Sequence, residues 1–462
     1  MSLSENDLKN PARMENSRRR FIKHSLWGAT ACWTIPSFLD NTLHGLDARA
    51  SSARPAGADG PILVVVQLAG GNDSLNTVIP YTNATYLSAR PNLNITQGVL
   101  PLGNTAMLGQ NAPQTVALHP GLGRFHELWE GGDLAIVNGV GYPNPNLSHF
   151  TSFDYWHTAE PHNPVRDGWL GRFFDHQCSG CDPTSAFNMD NRAALAFLSN
   201  QGTSANVDAK VPAEIAWKDF SSTRGNIDLE NSYRHLIGLD HPLDSGVSDQ
   251  DEVLAYVQRS SHNAMISART IYNVLDSQGD GFPYSNSWAE DPSKLEKDFK
   301  NVAALIAGGL DTSIYYMHQG GYDTHNNQIS AAPDNNRHDN LLAELNTAIG
   351  AFVDEMKAQG VWDRVLLFTF SEFGRKVIEN GSNGTDHGAA ASLFAMGGAV
   401  NPGFYGLFPD LDDREKKDSL KYNVDFRRVY RTALQNWLGL PASALSEVFP
   451  NQPSEFSPLG FI

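Results

Sequence analysis

Val64–Asn76 reads VVVQLAGGNDSLN, an apolar run that stops at two glycines and then an aspartate. With Ile62 and Leu63 it predicts a strand over Ile62–Leu68. That strand is buried on both faces, since a solvated face would place a polar residue at every second position. The glycines permit close backbone approach and unusual φ angles, so Asp73 projects from the sheet's edge. There it reads either as a metal ligand or as the cap of the next helix.

Two further apolar runs end the same way. Ile314–Met317 leads into Asp323 and His325, and Val365–Phe370 leads into Glu372, then Asp386 and His387. Leu134–Val140 predicts another strand, followed by a Pro/Asn-rich loop over Gly141–Asn146 and a short helix. Helical spacing joins Leu295, Phe299, Val302, Leu305, Ile306 and Leu310. It also joins Leu341, Leu342, Leu345, Ile349, Phe352, Val353 and Met356. Ser248 and Asp251 start a helix to about Ser277, and Asp425 caps a last helix through Trp437, ended by Gly439 and Pro441. Strand and helix in alternation predict an α/β fold with a mostly parallel central sheet covered by helices. The stretch 171–247, rich in Asn, Ser, Gly and Asp, reads as an insertion or cap over the sheet's edge.

In such a sheet, strand ends converge on one crevice. Carboxylates and imidazoles brought together there suit one or two divalent cations. In Gly320-Gly321-Tyr322-Asp323-Thr324-His325, a two-residue spacing on extended backbone puts Asp323 and His325 on one side. Glu372 reads as ligand or general base, and Arg375 as a bidentate anion holder or as its surface partner. His387 carries its own carboxylate neighbour, Asp386. Ser148 follows a strand and starts a helix, where backbone N–H groups favour an anion. It is read as a metal-activated nucleophile or simply as the N-cap.

The N-terminus predicts export. Ser17-Arg18-Arg19-Arg20-Phe21-Ile22-Lys23 matches the twin-arginine pattern, a moderately apolar stretch follows from Ser25 to Leu39, and Ala48-Arg49-Ala50 offers a cleavage site. Residues 1–50 are thus a signal peptide, 51–60 a flexible leader and 61–462 the folded domain, periplasmic or secreted and with no stable membrane insertion. The net charge of −17 argues against nucleic acid as a partner, since phosphate binding needs a basic surface. After cleavage only Cys178 and Cys181 remain; they read as a local disulfide or, less simply, as a redox pair. P-loop, G-x-S-x-G and H-E-x-x-H patterns are absent from the sequence.

The leader, VVVQLAGGNDSLNTVIPY, GVGYPNPNLSHFTSFDYW, GGYDTHNNQ, FSEFGR and GTDHG together resemble the exported bacterial family of domain of unknown function 1501, over about residues 61–440. That family is placed in the alkaline phosphatase superfamily, with sulfatases and cofactor-independent phosphoglycerate mutases. The resemblance implies a three-layer α/β/α sandwich with a two-metal crevice at the strand ends. It sets Asp73 at the metal-bridging aspartate, Ser148 at the nucleophile, Asp323 at the aspartate of an Asp-x-x-x-His pair and His387 at the last metal histidine. Position 327 is Asn, with the histidine at 325, and Glu372-Phe373 stand where Asp-His is usual. Cys181-Asp182-Pro183-Thr184-Ser185 begins like the formylglycine motif of sulfatases but lacks its arginine. The expectation is a metal-dependent hydrolase of phosphate or sulfate esters, acting on a small-molecule or carbohydrate ester. The alternative is an exported metal- or carbohydrate-binding scaffold without catalysis.

Overall fold

A computed structural model describes residues 60–103, 115–162, 167–177, 185–189, 195–198, 207–208, 284, 288–329, 337–415, 418–451 and 456–462. The signal peptide, nearly all of the leader, Cys178, Cys181 and the helix expected from Ser248 lie outside the described residues.

The central sheet is built from β1 (Ile62–Leu68), β2 (Leu134–Gly141), β3 (Ala186–Asn188), β4 (Val207–Asp208), β5 (Ile314–Gln319), β6 (Val365–Phe370), β7 (Ala391–Met396), β8 (Gly403–Tyr405) and β9 (Val424–Asp425). Its order is β8-β2-β7-β6-β1-β5-β3-β4, with β9 also paired to β2. Every pairing is parallel except those of β7, which runs antiparallel to β2 and β6. β1 is central and buried along its whole length, as its unbroken apolar run requires. The antiparallel strand β7 falls on the Ala389–Met396 run, whose apolar character alone did not reveal its direction.

Side chains of β1 alternate between two cores. Ile62, Val64, Val66 and Leu68 pack with the helices α1 (Gly123–Gly131), α4 (Lys294–Ala307) and α5 (Arg337–Ala358). Leu63 and Val65 pack on the other face with α2 (His149–Thr158), α3 (Trp169–Gln177) and α6 (Phe426–Arg431). The result is the expected three-layer α/β/α sandwich around a mostly parallel sheet. Helix ends follow local chemistry: Ser293 accepts from the Glu296 amide to start α4, and Asp425 accepts from the Arg427 amide to start α6. After Arg431 the helix continues as a π-helix to Trp437, and a short helix, Leu445–Val448, follows it. Within 171–247, the described strands β3 and β4 continue the sheet beyond β5. Among the described residues no helix is long and apolar enough to cross a membrane.

Candidate metal centre

The loops after β1, β5 and β6 meet at one end of the sheet. Two glycines let the first loop in. Gly70, at φ +120, lies so close to the Tyr322–Asp323 backbone that a Cβ would sit 2.3 Å from the Asp323 nitrogen. At Gly71 (φ +75) a Cβ would meet the Phe373 ring at 2.6 Å. Ser371 then ties the loop to the end of β6, donating to Leu68 O at 2.6 Å and accepting from the Asn72 amide at 2.8 Å.

Four side chains converge in this space. His387 Nδ1 lies 2.8 Å from Leu147 O, a pure acceptor, so Nδ1 carries the proton and Nε2 the lone pair. That Nε2 is 3.1 Å from Asp323 Oδ1 and 2.9 Å from His325 Nε2. His325 Nε2 is itself 3.1 Å from Asp323 Oδ1, while its Nδ1 faces Asp386 at 3.5 Å. His149 enters from the first turn of α2. Its Nδ1 is 2.6 Å from Glu372 Oε1, and its Nε2, 3.5 Å from Asp323 Oδ2, is buried with no hydrogen-bond partner.

This donor set fits a cation. Lone pairs facing one another at 2.9–3.5 Å repel unless a proton or ion lies between them. Ligand atoms about 2.0–2.1 Å from a tetrahedral ion lie roughly 3.3 Å apart. Those of His149, Asp323 and His387 lie within 4.8 Å of one another, and His325 Nε2 lies 2.9 Å from His387 Nε2 and 3.1 Å from Asp323 Oδ1. The charge states agree. Burial pushes the Asp323 carboxyl up, but Arg375 and His387 outweigh it and hold it at about 2, so it is ionised. Burial lowers His387, leaving its imidazole neutral and able to ligate. His149 is raised, chiefly by its hydrogen bond to Glu372, so a proton competes for its Nε2. Asp323, His325 and Asp386 are each nearly half exposed, which leaves one side of the centre open to solvent.

Three of the expected residues thus meet directly: Asp323, His325 and His387. Asp386 stands behind His325, held by Lys376 Nζ at 2.9 Å. Glu372 is fully buried and turned away from the open side. Its Oε1 accepts from the Gly70 amide and from His149, so it orients His149 as the carboxylate of a carboxylate–histidine–metal triad would. Arg375 is buried, its guanidinium facing the carbonyls of Gly70, Gly71, Tyr322 and Thr385 and Oδ1 of Asp323. The expected bidentate fork toward a substrate anion is therefore engaged within the protein. Ser148 occupies the N-cap position, is exposed, and makes no capping hydrogen bond with its side chain.

Asp73 lies apart from the four side chains. It is fully buried, and Arg90 grips both of its oxygens, at 2.6 and 3.0 Å; Gln328 donates to one of them. His149 and Arg90 are the residues that sequence reasoning missed. His149 had a local signal, since it directly follows Ser148 at the start of a helix. Arg90 had none.

A second group, His119, His338 and Asp339, also brings ligand-type atoms together. Here His119 Nδ1 accepts from the Gly121 amide at 3.0 Å, so its Nε2 holds the proton and donates to Asp339 at 2.9 Å. His338 Nε2 pairs with Asn72 Oδ1 at 3.0 Å. His119 and Asp339 are thus hydrogen-bonded to each other, while His338 Nδ1 is buried with no hydrogen-bond partner.

Residues 302–440 match the family described as "Protein of unknown function (DUF1501)". No curated protein matches the chain. Among solved structures, a protein in the alkaline phosphatase superfamily from Vibrio parahaemolyticus is similar at 11% identity and a TM-score of 0.35, over 85% of this chain and 70% of that one. The PsFucS1 sulfatase from Pseudoalteromonas sp. aligns at 10% identity and 0.34, over 88% and 71%. The phosphonate monoester hydrolase SpPMH from Silicibacter pomeroyi aligns at 9% and 0.33, over 86% and 78%.

Proposed function

We propose that this protein is an exported, metal-dependent hydrolase of phosphate or sulfate esters, with a divalent cation held by His149, Asp323, His325 and His387. One observation carries the reading: the buried, unpartnered Nε2 of His149 faces Asp323 and His387, whose own ligand atoms converge with it. When bound, the ion supplies Lewis acidity toward an ester oxygen. Glu372 and Asp386 orient His149 and His325, and Arg375 positions Asp323. Ser148, beside His149 and free of a capping bond, is the nucleophile in this reading, and the N-terminal amides of α2 favour the negative charge that develops. Export rests on the twin-arginine pattern of Ser17–Lys23, and a small-molecule or carbohydrate ester is the substrate class.

One observation favours a second reading, a metal-binding scaffold without catalysis: Arg375 is engaged with backbone carbonyls and Asp323 rather than with the open side. Elemental analysis and ester assays on the purified mature protein separate the two. Stoichiometric metal, lost in an Asp323→Ala, His387→Ala double variant together with turnover of aryl and sugar phosphates or sulfates, is the expected result. Metal without turnover on any ester supports the scaffold. No metal, after expression with metals supplied and chelator avoided, overturns both.

A further inference from the structure

We infer that the centre takes a single divalent cation, and that Arg90 and Phe373 close the place a second one would need. The inference rests on the metal reading above and concerns the number of ions and the residues that set it.

Two-ion hydrolytic sites hold their cations roughly 3.5–4 Å apart, usually through a shared carboxylate. Among the described residues, those around the four ligands do not supply a second set. Asp73, the acid at the end of β1, has Arg90 Nη1 on Oδ2 at 2.6 Å and Nη2 on Oδ1 at 3.0 Å, with neither side chain exposed. Arg90 is fixed in turn by Asn76 Oδ1 at 2.8 Å, Val377 O at 2.9 Å and Lys376 O at 2.7 Å. A guanidinium stays charged at any pH a protein meets, so this cation does not give way to a metal by losing a proton. An ion at Asp73 would have to expel a buried arginine from five hydrogen bonds.

Phe373 closes the other approach. Its ring is buried and lies between two ligands, with centroids 4.9 Å from His149 and 4.6 Å from His387. Carbon offers an ion nothing, and Gly71 makes the room that lets the ring pack there. The remaining carboxylates are occupied. Glu372 Oε1 serves the Gly70 amide and His149, and Asp386 serves Lys376 and Asn380. The fixed charge of Arg90 therefore stands at the end of β1 where the resemblance implied a metal-bridging aspartate. It is a positioning residue, since it is buried and touches no open surface.

The test is a titration of metal-free protein with Co²⁺, followed by visible absorption, beside elemental analysis of protein loaded with Zn²⁺ or Mn²⁺. Wild type should reach its end point at one equivalent. Folded Asp73→Asn should also bind one equivalent, because Asp73 is not a ligand. Two equivalents in wild type, or loss of an equivalent in folded Asp73→Asn, overturns the inference and leaves the metal reading standing. Should Asp73→Asn not fold, the wild-type end point decides alone. No binding by wild type removes the metal centre itself and the inference with it.

Discussion

Glu372 Oε1 lies 2.6 Å from His149 Nδ1, across 223 residues of sequence, and this pairing decides what His149 does. The carboxylate accepts a hydrogen bond from Nδ1–H and thereby keeps the proton on Nδ1, leaving Nε2 as a lone pair aimed at Asp323 and His387. Ser152 and Trp156 both donate to the Glu372 carbonyl, at 2.6 and 2.9 Å, so α2 is locked to the same residue that orients its first histidine.

Glu372→Gln should therefore weaken metal binding without unfolding the protein. The amide keeps the shape but not the charge that fixes the His149 tautomer. The expected loss is about 10–100-fold in affinity, as for other residues that orient metal ligands. Competition with a chromophoric chelator reads it. Unchanged affinity in folded Glu372→Gln would show that the pairing does not tune the centre.

Adjacent substitutions on α2 should behave differently. His149→Ala removes a ligand and should release the ion. Ser148→Ala should retain stoichiometric metal and, if Ser148 attacks the ester, lose at least about a thousandfold in kcat. Metal content and single-turnover kinetics on both variants separate ligand from nucleophile. Full activity in Ser148→Ala would leave the reaction without its serine step.

Metal affinity should depend on pH through His149. Its pKa is raised above 6.5 by Glu372, and the proton competes for Nε2. Affinity should be level above that raised pKa and fall about tenfold per pH unit below it. Asp323, held at about 2, contributes no further change until far lower pH. Isothermal titration across pH 5–9 (roughly the range in which imidazoles titrate) measures the profile. An affinity independent of pH there would exclude His149 as a ligand.

Stability should fall on mild acidification because of His338. Burial lowers its pKa from 6.5 to about 4, so the fold holds it neutral while the unfolded chain takes up a proton. The sign follows from linkage. Its contribution is complete above 6.5 and is lost as pH falls toward about 4, by about 3 kcal/mol. Urea unfolding of wild type and His338→Gln at about pH 7 and about pH 4.5, above and below the unfolded-state imidazole value of about 6.5, checks it. The pH dependence should be smaller in the variant.

The frame was legible in the order of the amino acids. Strands buried on both faces must be continuous apolar runs, so Ile62–Leu68, Val365–Phe370 and most of β5 announced themselves, and the glycines and acids after them marked the loops that meet. Asp323, His325 and His387 were legible for that reason. Which way side chains point, and what they find there, came from the packing of the folded chain. Spacing along a chain does not say that Arg90, 17 residues on, folds back to take both oxygens of Asp73. Nor does it say that Glu372 faces inward to His149 instead of outward to an ion. It also does not reveal that Arg375 turns toward the carbonyls of Gly70, Gly71 and Tyr322. In a buried crevice each polar atom must find a partner, and those partners come from loops far apart in sequence. Function at such a site is therefore settled by packing, after the strands have put the loops in reach.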